Sequence, residues 1–284
     1  MQKNVINTDL SGKVAVVTGA GGAICSVLSI ALARAGAKVA LLNRTFDKAE
    51  RVAVLIRREG GTAKAYACNV LSREMCEKTA AEILDDYGPC DILINGAGGN
   101  APGASTDNDR YEDGDIDGDV QSFFDLSEDS VRDVFDLNFA GTLIPAQVFS
   151  RQMIGREGCN ILNISSMNAY TPLTRIPAYS GAKAAVSNFT QWLAVYFSKA
   201  GIRVNAIAPG FFASSQNAKL LFDENGQPTA RTHKILDATP MGRLGDTEKE
   251  LTGAVLFLLN NEAASFITGV CIPVDGGFSS YSGV

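Results

Sequence analysis

Apolar positions along the chain gather in seven short runs, at 14–18, 38–42, 63–67, 91–95, 160–165, 203–208 and 270–274. Most are continuous rather than alternating, as in parallel strands covered on both faces. Between them the pattern changes to helical spacing over 24–35, 47–59, 73–87, 128–153, 178–200 and 247–259. Gly36 follows the first of these helices and Gly60-Gly61 the second, where a left-handed cap is easiest. Ser127, followed by Glu128 and Asp129, reads as the N-cap of the fourth. Strand and helix in alternation predict an α/β fold, a doubly wound parallel sheet of Rossmann type. No repeat or linker divides the chain, so a single domain over 1–284 is expected.

Two stretches interrupt this rhythm. Residues 99–125 are acidic and Gly-rich, and residues 211–246 form a second excursion. Both leave the carboxyl end of a predicted strand, where open α/β sheets bind ligands, so both read as lid-like insertions. The first contains Asp113, Asp115, Asp117, Gly118 and Asp119, which begin like a calcium loop. Its twelfth position is Phe124 rather than a bidentate Glu, which favours a solvated lid while leaving calcium open. His233, the sole histidine, lies in the second excursion and reads as a surface or substrate-lobe residue.

Composition narrows the function. With 46% apolar residues in 284 and a net charge of −6, the chain has no basic cluster for nucleic acid. The start lacks a signal-peptide core and no apolar run reaches membrane-spanning length, so a cytoplasmic protein without membrane attachment is expected. Cysteines stand singly at 25, 68, 76, 90, 159 and 271, without metal-ligand spacing. They read as reduced thiols, and no metal is expected.

The chemistry gathers in two places. "VAVVTGAGGAIC" (14–25) has the strand–turn–helix context of a pyrophosphate loop. It nonetheless departs from both usual glycine spacings, carrying Ala23 and Cys25 where T-G-x-x-x-G-x-G has glycines. The second place is "SSMNAYTPLTRIPAYSGAK", in which Tyr179 and Lys183 are one helical turn apart and Ser166 precedes them at a strand end. With Asn138 in "VFDLNFAG", this set resembles the short-chain dehydrogenase/reductase family. "INGAG" varies that family's N-N-A-G by placing Gly96 at its second position, while "NAIAPGFFAS" and "VDGGF" match its later motifs.

The resemblance implies an NAD(P)-dependent oxidoreductase with Tyr179 as proton carrier. Ser166 would hydrogen-bond the reacting oxygen, Lys183 would serve the phenol and the nicotinamide ribose, and Asn138 would position a relay water. A free phenol titrates near ~10, and bringing it to neutrality takes ~4 kcal/mol from the ammonium and the cofactor's positive charge. The cofactor would meet Thr18, Gly19, Gly21, Gly22 and Ile24 at the first turn, and Asn43 and Arg44 after the second strand. Asn69, Val70, Asn95, Ala97, Gly98, Pro209, Gly210 and Phe212 complete the set, with Tyr179 and Lys183. Asn43 lacks the carboxylate that accepts from the NAD ribose, and Arg44 can pair with a 2′-phosphate. NADP(H) is therefore favoured, with NAD(H) still open.

More narrowly, "LLNRT", "INGAGGN", "FFDL" and "PVDGGFSSYSGV" resemble the D-mannonate oxidoreductases (fructuronate reductases) of that family. A sugar-acid substrate follows, with Ser166, Arg175 and Tyr179 facing it. Arg175 offers a planar fork for a carboxylate, though a salt bridge across a subunit or to the acidic loop is as good a reading. The resemblance also implies a homotetramer joined through the helices at 128–153 and 178–200. A ketoacyl reductase would share the catalytic residues but want a basic face for its acidic carrier, and a non-catalytic cofactor sensor would be expected to lack Tyr179 or Lys183.

Overall fold

The computed structural model describes residues 8–213 and 218–283. Ser214, at the end of the "NAIAPGFFAS" motif, lies outside them, as do residues 1–7 of the segment judged to lack a signal-peptide core.

Seven strands form one parallel sheet in the order β3-β2-β1-β4-β5-β6-β7. They are β1 (Val14–Thr18), β2 (Lys38–Asn43), β3 (Thr62–Ala67), β4 (Ile92–Asn95), β5 (Cys159–Ile164), β6 (Ile202–Pro209) and β7 (Cys271–Val274). All seven apolar runs became strands; the inner ones are continuous because a strand buried on both faces has to be apolar along its whole length, while β3 and β7 at the sheet edges are partly exposed. β1, β4 and β5 are buried at every residue. The order reverses between β1 and β4, which opens a crevice at their carboxyl ends.

Helices α1 (Ala23–Arg34), α2 (Phe46–Arg58), α3 (Arg73–Tyr87), α4 (Glu128–Phe135), α5 (Gly141–Phe149) and α6 (Pro177–Tyr196) cover the two faces. Their apolar sides form two cores. One joins Leu28 and Leu32 to Val17, Leu41 and Ile94, and the other joins Ile83, Phe149 and Met153 to Val16, Leu93 and Ile161.

The helix predicted over 128–153 is broken. α4 passes through a π turn, Asp136–Ala140, before α5 begins, and a 3-10 turn ends the run at Ser150–Gln152. A π turn inserts one residue into the helical ladder, and here it carries Asn138. The helix predicted over 247–259 likewise starts as a π turn, Thr247–Leu251, capped by Asp246. Two helices in the second excursion, α7 (Ala218–Leu221) and α8 (Ala230–Asp237), escaped the sequence pattern, and α9 (Thr252–Leu259) follows. α8 is mostly polar and buries only Thr232 and Ile235, too narrow a stripe to read from periodicity.

A buried polar chain ties the centre of the sheet to α6. Asn95 Nδ2 donates to Asn163 Oδ1 (2.9 Å), and Asn163 Nδ2 donates to Thr190 Oγ1 (2.9 Å). Thr190 in turn donates to the Val186 carbonyl. The chain fixes the rotation of α6 over β4 and β5, and with it the direction in which Tyr179 and Lys183 project.

Candidate active site

β5 delivers Ser166 to its carboxyl end, and Pro177 starts α6 so that Tyr179 and Lys183 share one face. The Tyr179 hydroxyl lies near enough to Ser166 for the serine to favour its ionised form. Ser166 Oγ also accepts the Asn168 backbone N–H (3.2 Å), which leaves the serine's own proton to be offered elsewhere. Lys183 is buried; its Nζ donates to the Ile164 carbonyl (2.8 Å) and lies 5.6 Å from the centre of the Tyr179 ring.

Asn138 reaches this group through Gly98. A Cβ on Gly98 would lie 2.6 Å from Asn138 Oδ1 and 3.2 Å from Lys183 Nζ, so only glycine lets the three meet. The Asn138 amide donates to the carbonyls of Gly99 (2.7 Å) and Val134 (2.8 Å), and its oxygen accepts from Gly99 N–H. Its side chain is therefore engaged in anchoring the base of the lid.

Burial holds the Tyr179 phenol above its ordinary value, and the neighbouring Ser166 hydroxyl offsets part of that. Burial works oppositely on Lys183, whose ammonium is lowered to about 8. The expectation that Lys183 lowers the phenol is not met within the chain alone, because the ammonium is directed at Ile164. The neutral phenol is an acid ready to protonate a developing alkoxide, and the reverse direction needs a further positive charge beside it.

The cofactor crevice fits a dinucleotide. Gly19 has φ +63°, and a Cβ there would come within 2.8 Å of the Gly96 carbonyl. α1 begins after Gly22 with no side-chain cap and no acid in its first turn, so its free N–H groups suit a pyrophosphate. Ile24 stands half-buried in that turn. Asn43 Oδ1 accepts from Gly21 N–H (3.4 Å), joining the end of β2 to the loop, and Arg44 beside it is exposed. Lys48, which the sequence reading passed over, packs against Gly21.

Several predicted cofactor residues turn out to brace the site. Thr18 is fully buried, and its hydroxyl accepts from Gly96 N–H (3.0 Å) and Ala97 N–H (3.2 Å). Asn95 faces Asn163 inside the sheet. Asn69 Oδ1 accepts from Leu71 N–H, shaping the turn that buries Val70. Gly210, after Pro209, packs against Asp275 of the "VDGG" segment, and Phe212 packs against Gly245.

Arg175 is not free to grip a carboxylate with its whole fork. It is the one non-glycine residue of positive φ (+72°) among the described residues, and its Nε donates to the Thr106 carbonyl (3.0 Å). Thr106 N–H returns to the Arg175 carbonyl (2.9 Å), clasping the acidic lid to the loop before α6. Asp109 extends the clasp to Thr174 (3.1 Å) and to Lys234 on α8 (3.7 Å). His233, also on α8, is exposed. Asp115 is buried in the lid with its oxygens on Asn108 and the Glu112 N–H. Among the described residues no three metal-ligating side chains gather.

A dinucleotide crevice flanked by a cluster of buried Ser166 and Lys183 with half-buried Tyr179 defines an oxidoreductase of the Rossmann class. The chain belongs to the short chain dehydrogenase family, whose model matches residues 13–225. An oxidoreductase of Haemophilus influenzae, of uncharacterized activity, is 56% identical over 98% of this chain and 97% of its own. A crystal structure described as a "putative D-mannonate oxidoreductase" from Haemophilus influenza with bound NAD superposes with a TM-score of 0.94 at 56% identity, covering 99% of each chain. Gluconate 5-dehydrogenase of Gluconobacter oxydans is 34% identical over 95% of this chain and 96% of its own.

Two of the three departures from the family pattern, Cys25 and Gly96, prove to be one. A Cβ on Gly96 would lie 2.0 Å from Cys25 Sγ, so the thiol on α1 fills the space a side chain after β4 would take. Gly96→Asn alone should overpack the joint at a cost of ~1–3 kcal/mol and weaken dinucleotide binding. Adding Cys25→Gly should restore both, read by thermal melting and cofactor titration. A double variant no better than Gly96→Asn would refute the pairing.

Lys183 is cationic below about 8 and neutral above it. In carbonyl reduction, kcat/KM should be level through neutrality and fall as pH rises through about 8. An active Lys183→Arg enzyme should lose that fall. A parent profile without an inflection there would contradict the assignment.

Proposed function

We propose that this protein transfers hydride between a nicotinamide dinucleotide and a sugar acid, D-mannonate/D-fructuronate being the leading pair. The observation that carries the reading is the gathering of Ser166, Tyr179 and Lys183, with Lys183 Nζ 5.6 Å from the Tyr179 ring centre, at the carboxyl ends of the central strands. The bound dinucleotide would supply or receive the hydride at the carbon. Ser166 holds the carbonyl oxygen with its free proton, Tyr179 delivers a proton to that oxygen, and Lys183 stabilises the phenolate left behind. Gly19, Gly21 and the start of α1 hold the pyrophosphate, and Gly98 keeps Asn138 and Lys183 in register.

The substrate reading draws support from the Haemophilus relative, and the gluconate 5-dehydrogenase relative supports a neighbouring reading within the same class. Both are polyhydroxylated acids. An exposed aromatic stack on α6, Trp192 on Tyr196 at 5.1 Å, supports a subunit interface of a homotetramer.

A screen of hexuronates and 5-keto-hexonates with reduced cofactor should give fructuronate the highest kcat/KM. Tyr179→Phe should abolish turnover and leave cofactor affinity within about twofold, since the phenol acts on the proton and not on the dinucleotide. A folded Tyr179→Phe enzyme with substantial activity would exclude Tyr179 as the acid, and a best substrate outside the polyhydroxy acids would exclude the sugar-acid reading.

NADP(H) is the favoured cofactor because Arg44 is exposed beside the loop and no carboxylate stands at position 43. The NAD bound by the Haemophilus relative keeps NAD(H) as the second choice. A guanidinium on a 2′-phosphate contributes ~1.5–3 kcal/mol, roughly ten- to a hundredfold. Asn43→Asp with Arg44→Ala should shift the NADP/NAD ratio of kcat/KM toward NAD by that factor. A parent enzyme that already prefers NAD would show that Arg44 serves only the solvent.

A further inference from the structure

Arg175 keeps a backbone conformation that its side chain disfavours. Its φ of +72° is the sole positive value outside glycine among the described residues. Such a conformation persists only where neighbouring structure holds it, and here the holder is the acidic lid. Thr106 N–H donates to the Arg175 carbonyl (2.9 Å), and Arg175 Nε donates back to the Thr106 carbonyl (3.0 Å). One lid residue thus grips both the main chain and the guanidinium.

The lid can transmit this grip because it is braced within itself. Gln121 N–H donates to Asp107 Oδ2 (2.8 Å), and Asp107 N–H returns to the Gln121 carbonyl (2.8 Å). Gln121 Nε2 donates to the Pro102 carbonyl (2.9 Å), which ties Thr106 and its neighbours to the 3-10 turn Pro102–Ala104. Ala104 on that turn is fully buried in a small cluster with Val134 of α4 and Ala178 and Ala182 of α6. The Tyr179 side chain packs against this cluster. Ser127 N–H, at the head of α4, donates to the Gly103 carbonyl (2.9 Å) and holds the turn from the other side.

Two short stretches of chain are therefore joined at both ends. Thr106 is two residues beyond Ala104, and Arg175 is four residues before Tyr179. Hydrogen bonds join Thr106 to Arg175 at one end, and packing joins the cluster that holds Ala104 to Tyr179 at the other.

We propose that Arg175 is a positioning residue, whose lock on Thr106 seats the lid against the cluster on which Tyr179 packs and so holds the phenol in place for proton transfer. It acts through the lid and not on a substrate carboxylate. This role rests on the reading of Tyr179 as the proton donor. A displacement of ~1 Å at an acting group costs up to about a hundredfold in rate, so loss of the lock falls on kcat. A residue that gripped the carboxylate would show the reverse, a raised KM with kcat held.

Arg175→Ala and Arg175→Lys are compared with the parent on the carbonyl substrate the parent reduces fastest, and amide hydrogen exchange is read in the ligand-free proteins. Arg175→Ala should lower kcat about ten- to a hundredfold with KM within about threefold. Its amides over residues 101–109 should exchange about tenfold faster or more, while β1, β4 and β5 keep the parent's protection. Arg175→Lys should not restore kcat, because lysine keeps the charge without the Nε–H that meets Thr106. Should Arg175→Ala fail to fold, Arg175→Gly takes its place, since glycine adopts φ +72° without strain. A raised KM with kcat unchanged, recovered by Arg175→Lys, would overturn the proposal in favour of a carboxylate contact. Lid exchange unchanged from the parent would overturn it as well. Either failure leaves Tyr179 as the proton donor, whereas a folded Tyr179→Phe enzyme with substantial activity would bring down that reading and this role with it.

Discussion

A buried ammonium governs the architecture of this site. Lys183 is 4% exposed and, among the described residues, forms no ion pair; the Ile164 carbonyl is its hydrogen-bond partner. Removing a lysine from water costs on the order of several kcal/mol, and the neighbouring structure is arranged to bear that cost. β5 supplies the carbonyl, Gly98 leaves the space, and Asn138 holds the adjoining backbone in place. The same burial that depresses the lysine raises the tyrosine above it. Two groups pushed in opposite directions within one small volume are suited to proton transfer, and Ser166 stands beside them.

The second constraint is steric. The dinucleotide loop works only if backbone can approach backbone, and Gly19 against Gly96 is the tightest place. Cys25 looked like damage to that loop. In three dimensions its thiol occupies space cleared by Gly96, so the approach of α1 to β4 is preserved with the bulk moved from one element to the other. Burial pushes this thiol up to about 12, which keeps it a neutral packing group beside Lys183. Around the mouth, the acidic lid is clasped by Arg175 and Asp109 to the loop that leads into α6, so lid and catalytic helix are set in one geometry.

Much of this was legible in the chain. Doubly buried strands must be apolar throughout, which made the inner runs of the sheet visible, and Tyr179, Lys183 and Ser166 follow from spacing on those elements. What stayed hidden depends on through-space neighbours. Cys25 and Gly96 are far apart in sequence, and nothing in either motif says that one fills the other's space. Asn138 stood out as a residue type, yet the π turn that carries it follows from no periodicity, because a single inserted residue leaves the apolar pattern on both sides intact. Arg175 could be read as a carboxylate fork or as a tie to the acidic loop; its positive φ and its bond to the Thr106 carbonyl in that loop belong to the second, which spacing alone could not choose. α8 was missed because its stripe of buried residues is narrow.

The central claim is that the Ser166–Tyr179–Lys183 cluster serves direct hydride transfer to a carbonyl carbon. Its most direct test is isotopic. Reduced dinucleotide deuterated at nicotinamide C4, on the face the enzyme uses, is turned over with fructuronate and the product examined by mass and by proton resonance. The account predicts one deuterium per product molecule, bound to the new carbinol carbon and retained in ordinary water. A product free of deuterium from either C4-labelled face, with the label lost to solvent, would contradict it.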